Sequence, residues 1–284
     1  MLISKHAGKL SATRGLVRAV LRAATLIALS VGTVPAQSAP FDHSLFDGLL
    51  RKYVTRGLVD YEAFARAPEF PRYLESLDRA HPERLDDDER LALWINAFNA
   101  YTIQLVVAHH ETESIRNINK TFGVLRLNGP WTEPIVRVGG KRYTLDDVHH
   151  RILRKDFGEA RVHFTLACGA VSCPSLRGEA YTGARLLTQF ESQAREFLRD
   201  SPDKNSFERR NLRLSPVLLS YRGDFGPARE DLAKALAPYF DGDTRTMLQQ
   251  GRVFFRETPF DWSLNSVARA KTKHLPDSAG IGHM

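Results

Sequence analysis

The most informative run of the chain reads Leu91-Ala92-Leu93-Trp94-Ile95-Asn96-Ala97-Phe98-Asn99-Ala100-Tyr101-Thr102-Ile103. Just before it, Asp86 and Glu89 stand three residues apart, a spacing typical of a capping box at the start of a helix. The pattern predicts a helix over about residues 87–108. Because apolar side chains occupy nearly every angle around this helix, we expect it to be buried on most sides.

The rest of the chain predicts shorter helices and a few strands. A two-residue glycine turn, Gly139-Gly140, separates two short strand-like segments and is typical of a hairpin over 136–143. Apolar spacing predicts further helices over 42–54, 145–153, 184–199 and 227–240, and strands over 162–168, 212–214 and 252–256. Because strands and helices do not alternate regularly, we expect an α+β fold in which the long buried helix packs with further helices against a small, mainly antiparallel sheet.

The two ends of the chain differ from its middle. Residues 1–36 combine basic residues, an apolar run over 23–34 and small residues up to Ala36, a pattern typical of a signal peptide. No later run is expected to span a membrane. We therefore predict an exported protein, periplasmic or secreted, with a single globular domain over 41–268, a disordered tail over 269–284 and no transmembrane segment after cleavage.

Charge argues against a nucleic-acid partner. The 284 residues carry 40 basic and 33 acidic side chains. Residues 1–40 hold five bases and no acid, and residues 269–284 hold three bases and one acid, which leaves 32 of each sign over 41–268. Proteins that bind phosphates without sequence preference normally present a basic face. No glycine-rich nucleotide motif follows a predicted strand, so no cofactor is expected, and the partner is an unknown substrate or protein of the cell envelope.

Two cysteines support two interpretations. Cys168 and Cys173 are the only cysteines and lie in Cys168-Gly169-Ala170-Val171-Ser172-Cys173-Pro174. In an exported protein, two nearby cysteines commonly form a structural disulfide. Alternatively, Cys168 leaves a predicted strand into a glycine-containing loop, where its sulfur is accessible as a nucleophile and backbone N–H groups stabilise an oxyanion. Both interpretations stay open here, with Cys173 as the bridge partner or as an alternative nucleophile.

A thiol nucleophile needs a neighbouring base that lowers its pKa. His163 stands five residues before Cys168 on the same predicted strand, so alternation directs the two side chains to opposite faces unless a bulge intervenes. The better candidates are His149 and His150, because Asp146 precedes the first and Asp147 the second by three residues, a spacing at which a carboxylate can orient an imidazole on a helix.

Other polar and aromatic residues are candidates for the site. Asn96 and Asn99 lie three residues apart on the buried helix, and an unpaired buried amide costs about 1–3 kcal/mol, so each needs a fixed partner. A brace to a neighbouring segment is the simpler expectation for both. As orienters of the base we consider Asn96 and Asp261, the latter with a C-terminal clasp as its alternative role. The residues expected to shape a binding pocket are Asn99, Arg116, Trp131 and Arg177.

Several segments, in order, resemble the domain of unknown function 547 family. They are residues 93–100, 114–116, 145–154, 163–174, 179–182 and 261–265. The likeness extends from residue 41 to residue 265. The family pattern has an acidic residue where His149 stands and a histidine at His150, so the resemblance favours His150 over His149. It implies membership of a family without an established activity.

The sequence thus supports hypotheses of different kinds. The first is a thiol-dependent amide hydrolase or acyltransferase at the cell envelope, with Cys168 as nucleophile and His150 as base. The second is a non-catalytic binding module braced by a Cys168–Cys173 disulfide. The third, metal-assisted hydrolysis through Asp146, His149, His150 and Cys168, has the least support, because these residues show no recognised metal spacing and no metal site is expected.

Overall fold

The computed structural model describes residues 39–119, 129–208 and 210–273. The predicted signal peptide, residues 1–36, and most of the predicted tail lie outside the described residues. Both stay predictions, as does the division of the chain into a leader, a single domain and a tail.

Helices dominate the described part of the chain. The helices are α1 Ser44–Tyr53, α2 Tyr61–Arg66, α3 Glu69–Asp78, α4 Asp87–Ala108, α5 Leu186–Arg199, α6 Pro216–Ser220, α7 Arg229–Leu236, α8 Gly242–Gln249 and α9 Val267–Lys273. The strands are β1 Val54–Thr55, β2 Leu58–Val59, β3 Val136–Val138, β4 Lys141–Tyr143, β5 Ser206–Glu208, β6 Asn211–Leu214 and β7 Phe254–Glu257. A π-helical segment, Asp147–Asp156, lies where the sequence predicts a helix over 145–153.

Helix α4 is buried along most of its length, which confirms its predicted place in the fold. Sixteen of its 22 side chains are buried. At its start, the Asp86 side chain accepts a hydrogen bond from the Glu89 backbone N–H at 2.8 Å. By length and composition α4 is long and apolar enough to cross a membrane, contrary to our expectation for the mature chain, but 83% of its apolar window is buried inside the fold.

The strands form small sheets that are antiparallel except at one pair. β1 pairs with β2, and β3 pairs with β4 across Gly139 and Gly140, whose φ angles are 62° and 72°. In the third sheet β6 lies between β5 and β7, antiparallel to the first and parallel to the second. Glycine adopts positive φ angles more readily than other residues, which explains why two glycines form this turn. The predicted hairpin is confirmed. With α4, these sheets confirm the α+β fold.

Buried apolar side chains form two clusters. The larger surrounds α4 and draws on α1, α2, α3 and the β3–β4 hairpin. The smaller packs α5, α7 and α8 around β6. Val162 belongs to the larger cluster and Phe164 to the smaller, so the segment just before Cys168 joins the two.

The strand predicted over 162–168 is wrong. Residues Ala160–Phe164 form a 3₁₀ helix, capped by the Glu159 side chain, which accepts a hydrogen bond from the Arg161 N–H at 2.9 Å. Val162, His163 and Phe164 are all at most 1% exposed. Strand-like composition arises here because three consecutive side chains are buried between two apolar clusters, which an alternating strand with one solvated face does not allow.

Asn96 and Asn99 hold irregular backbone against α4. Asn96 Nδ2 donates to the Tyr181 carbonyl at 2.8 Å, and its Oδ1 accepts from the Tyr181 N–H at 2.9 Å. Asn99 Nδ2 donates to the Thr165 carbonyl at 3.1 Å, and its Oδ1 accepts from the Ala167 N–H at 2.9 Å. Both amides are therefore braces, and the structure brings neither Asn96 to a histidine nor Asn99 into a pocket wall.

Asn99→Ala should lower the free energy of unfolding by about 2–4 kcal/mol, because it leaves the Thr165 carbonyl and the Ala167 N–H buried without partners. Urea unfolding at constant pH measures the change. Gln104→Ala, at a half-buried position of the same helix, is the control and should cost about 1 kcal/mol or less. Equal losses in the two variants would contradict the bracing role of Asn99.

Candidate functional site

Cys168 and Cys173 form a disulfide, with their Cα atoms 5.7 Å apart. Cys173 is buried, whereas Cys168 is partly exposed. Between them Gly169 has a φ of +82°, and a Cβ there would lie 2.9 Å from Cδ1 of Ile115, so glycine is needed at this point of the loop. Of the two interpretations that the sequence left open, the structure contains the bridge, and Cys168 carries no thiolate in this state.

The disulfide loop is clasped by residues 261–265. The Val171 N–H donates to the Ser263 carbonyl at 2.9 Å, and the Ser172 N–H donates to the Asp261 carbonyl at 3.2 Å. The Asp261 side chain accepts from the Ser263 N–H at 2.8 Å. Asp261 thus acts in the C-terminal clasp, and it is not among the residues that line a pocket with the histidines.

A pocket of about 370 Å³ opens beside the disulfide. Cys168 contributes to its wall, together with titratable side chains and aromatic rings. The titratable residues are Asp146, His149, His150, His163, Tyr221 and Glu257. The other aromatic residues are Phe98, Trp131, Phe260 and Trp262. A pocket with these residues is a candidate both for binding and for acid–base chemistry.

Asp224 fixes the tautomer of His163. Its Nε2 lies 2.7 Å from Oδ2 of Asp224, and Arg154 donates two hydrogen bonds to the same carboxylate. The hydrogen bonds from Arg154 and His163 lower the pKa of Asp224 to about 2, so the carboxylate is ionised and can only accept. His163 therefore carries its proton on Nε2. Burial lowers the pKa of His163 and keeps the ring neutral near pH 7, with Nδ1 unprotonated.

Tyr221 packs against this buried network. Its ring stacks on that of His163, with centroids 4.5 Å apart and planes 2° apart. The Arg154 guanidinium lies 4.6 Å from the centroid of the same ring. The three side chains and Asp224 thus form one connected group, which we call the His163 network; His163 and Tyr221 line the pocket, and Arg154 and Asp224 lie behind them.

His149 is a second neutral ring in the wall. It lies between Phe98 and Tyr221, with ring centroids 6.0 and 5.0 Å away. Burial is the main cause that lowers the pKa of His149 to about 3, followed by repulsion from His163 and His150 in their protonated forms and from Arg154. Its Nε2 is buried and has no hydrogen-bond partner among the described residues.

His150 lies closer to the surface than His149 does. Its Nδ1 is 3.1 Å from an Arg154 guanidinium nitrogen, and its Nε2 is 3.7 Å from Oδ1 of Asp146. The carboxylate that the sequence assigned to His150, that of Asp147, instead accepts hydrogen bonds from Thr144. Within the described ranges, no group of three or more His, Cys, Asp or Glu side chains is arranged to hold a metal ion.

The structure brings together six of the residues that the sequence proposed. The pocket is lined by Cys168, Trp131, Asp146, His149, His150 and His163. The sequence predicted a strand that would direct His163 and Cys168 to opposite faces. The chain instead forms a 3₁₀ helix at His163, and both residues line the same cavity.

Three of the four proposed binding residues, Asn99, Arg116 and Arg177, lie outside the lining. The Arg116 guanidinium stands 4.9 Å from the ring centroid of Trp262, so it touches a residue of the wall. Arg177 pairs with Glu179 at 2.6 Å and donates to Ser192 at 2.8 Å, away from the pocket. Arg177 is thus part of a surface network that holds the chain between the disulfide loop and α5.

Sequence reasoning missed Asp224 and Tyr221. They stand 61 and 58 residues after His163, in a short turn between α6 and α7 that carries no periodic signal. Arg154 lies within one of the family-like segments, and Trp262 lies within another. Only the tertiary fold brings Tyr221 and Trp262 into the pocket lining and places Asp224 and Arg154 against His163 and Tyr221.

The neutral buried histidines predict that the fold loses stability in acid. The unfolded chain binds a proton at His149 below its ordinary pKa of 6.5, whereas the native ring does so only near pH 3. The contribution is full above pH 6.5 and is lost as the pH falls through this window. His149→Phe should therefore reduce the protons taken up on unfolding by about one between pH 6 and pH 4. The slope of the unfolding free energy against pH measures this number, and an unchanged slope would show that the native ring protonates as readily as the unfolded one.

Comparison with known proteins bears on the resemblance seen in the sequence. No curated protein and no solved structure matches the chain significantly. A family model described as "Protein of unknown function, DUF547" matches residues 82–198. The matched region begins just before α4 and ends in α5, so it contains the disulfide loop and the three pocket histidines. Residues 82–198 are therefore similar to the DUF547 family, which supports the resemblance seen in the sequence.

Proposed function

We propose that the protein is an extracytoplasmic binding protein for a small ligand, with the Cys168–Cys173 disulfide as the brace of its pocket. The observation that carries the proposal is that the bridge occupies both sulfurs while Cys168 forms part of the pocket wall. A ligand that enters the pocket meets a disulfide and not a nucleophile.

The surroundings of the disulfide support a preformed pocket. On one side, Asn99 holds residues 165 and 167 to the buried helix. On the other side, residues 261 and 263 hydrogen-bond to the backbone of the loop. A wall that is fixed before the ligand arrives loses little conformational entropy on binding, which favours affinity.

The size and lining of the pocket fit a small molecule. Pockets for small ligands measure roughly 300–1,000 Å³ and combine apolar walls with a few polar groups. Trp131, Phe260 and Trp262 supply large apolar surfaces. The carboxylates and imidazoles supply the polar contacts that orient a ligand.

The disulfide also bears on where the protein acts. Disulfides persist in oxidising compartments and are rare where thioredoxin and glutathione keep thiols reduced. A pocket that needs its bridge would work in the periplasm or outside the cell. This supports the export that residues 1–36 predict.

A second candidate function is the thiol-dependent amide hydrolase or acyltransferase. It is favoured by one observation: Cys168 shares the pocket with His163, which Asp224 hydrogen-bonds at 2.7 Å. A carboxylate that orients an imidazole beside a cysteine is the arrangement by which thiol enzymes form a thiolate. On this candidate His163, with its unprotonated Nδ1, replaces His150 as the base.

This second candidate requires reduction of the bridge before any chemistry. A dithiol supplies two electrons and two protons and releases Cys168 and Cys173 as thiols. His163 then takes the Cys168 proton, and the sulfur attacks a carbonyl carbon. The amine leaves with that proton, and water or a second amine resolves the acyl-cysteine.

Rapid alkylation and intact mass separate the two candidates. If the protein acts as a binding protein, the chain isolated from its compartment should take up two labels only after reduction, because both sulfurs are in the bridge. Two labels without reduction would contradict the braced pocket and favour the thiol enzyme. The same spectrum shows where the mature chain begins, and a first residue near Gln37 would support export.

Loss of the bridge should destabilise the protein by a predictable amount. Replacing both cysteines, with Cys168→Ser and Cys173→Ser together, should lower the free energy of unfolding by about 2 kcal/mol, because the short loop regains freedom in the unfolded chain. Guanidinium unfolding measures the loss. Wild-type protein in reductant is the matched control and should show the same decrease. A reduced wild type as stable as the oxidised form would show that the disulfide is not a brace.

A further inference from the structure

The charged residues that line the pocket are of one sign. Asp146 and Glu257 contribute carboxylates, and no lysine or arginine is among the lining residues of the described chain. The Asp146 side chain is about half buried, with 44% of its surface exposed. Burial raises the pKa of its carboxyl, because removal from water disfavours the ionised form. A positive charge placed beside Asp146 would offset this cost.

Two of the three pocket histidines do not supply that positive charge near neutral pH. Burial lowers the pKa of His149 to about 3 and also lowers the pKa of His163. His150 lies with Nδ1 3.1 Å from a guanidinium nitrogen of Arg154 and with Nε2 3.7 Å from Oδ1 of Asp146. Arg154 is itself paired with Asp224. The lining therefore contains two carboxylates and no lysine or arginine.

Aromatic rings form much of the remaining wall. The centroids of Trp131 and Trp262 lie 6.0 Å apart, with ring planes at 55°, and Phe260 lies 4.4 Å from Trp262 at 48°. The faces of aromatic rings attract ammonium groups, and tryptophan does so most strongly. The guanidinium of Arg116 stands 4.9 Å from the Trp262 centroid, so one cation of the protein itself already packs against this ring.

We infer that the pocket binds a small organic cation, an ammonium group on a short apolar body, between the carboxylates of Asp146 and Glu257 and the rings of Trp131 and Trp262. The inference rests on the proposed binding function and names its ligand class. The carboxylates compensate the charge of the ammonium, and the rings contact its methyl or methylene groups.

Ligands of other charge fit this lining less well. An anion would face two carboxylates without a lysine or arginine in the lining. A neutral apolar ligand of the same shape would fill the cavity but leave the half-buried Asp146 carboxylate uncompensated and further desolvated. Selectivity for a cation over a neutral isostere is therefore the property that distinguishes this inference from binding by shape alone.

Three probes of one shape test the inference. They are choline, its neutral isostere 3,3-dimethyl-1-butanol, and the anion 3,3-dimethylbutanoate. Trp131 and Trp262 lie in the wall, so intrinsic fluorescence reports binding to the oxidised protein, and calorimetry gives the affinity. Choline should bind about tenfold more tightly than the alcohol, the anion should bind most weakly, and added salt should reduce the preference for choline.

Variants locate the site and separate the possible failures. Asp146→Asn with Glu257→Gln should abolish the preference for choline over the alcohol, whereas Asp243→Asn, an exposed acid on α8, should leave it unchanged. Thermal unfolding confirms that each variant is folded. Equal or tighter binding of the alcohol would overturn the cation inference and leave the binding function standing. No binding of any probe at millimolar concentration would overturn the inference and remove the support that the pocket gives to a binding protein.

Discussion

Two amides buried in a helix that is apolar on every side constrain the rest of this structure. A side-chain amide cannot stay unpaired in such surroundings without a large cost, so Asn96 and Asn99 each require backbone groups that no other element has used. Irregular segments provide such groups, because the backbone of helices and sheets is already paired. The amides thus fix two loops against α4, and one of those loops carries Cys168 to the pocket.

The protonation of the buried histidines follows from the apolar surroundings of the site. His149 and His163 are neutral because the surrounding apolar and aromatic groups cannot solvate an imidazolium. Asp224 stays ionised in the same region only because Arg154 and His163 hydrogen-bond to it. One tightly paired carboxylate therefore sets the tautomer of a buried ring, whereas the carboxylates of Asp146 and Glu257 line the pocket itself. The same arrangement serves a binding protein directly and a thiol enzyme only after reduction.

The sequence predicts the regular parts of this fold well and its site only in part. The capping pair at Asp86 and the glycine turn at 139–140 are local signals with local causes, and both elements are confirmed. The strand predicted over 162–168 is wrong because burial from two sides gives a 3₁₀ helix the composition of a strand. Contacts between residues far apart in the chain, such as that from His163 to Asp224, cannot be predicted from the spacing of residues in the sequence. In contrast, the prediction that Asn96 and Asn99 each brace a neighbouring segment is confirmed. A buried amide needs a hydrogen-bond partner, so its burial was enough to predict this role.

The clasp on the disulfide loop also constrains when the pocket can exist. Asn265 accepts a hydrogen bond from the Tyr61 hydroxyl at 2.6 Å and donates to the Gly57 carbonyl at 3.0 Å, across more than 200 residues of chain. A ribosome releases residues 57 and 61 long before it releases residue 265. The cysteines are only five residues apart and can meet as soon as their own segment emerges. Trp262 and the clasp, in contrast, emerge only after nearly the whole chain has been made. Under the proposed export, a chain that enters an oxidising compartment from its N-terminal end therefore has its two cysteines available for pairing before the clasp and Trp262 arrive, and the aromatic residues already present are then open to chaperones or to other chains.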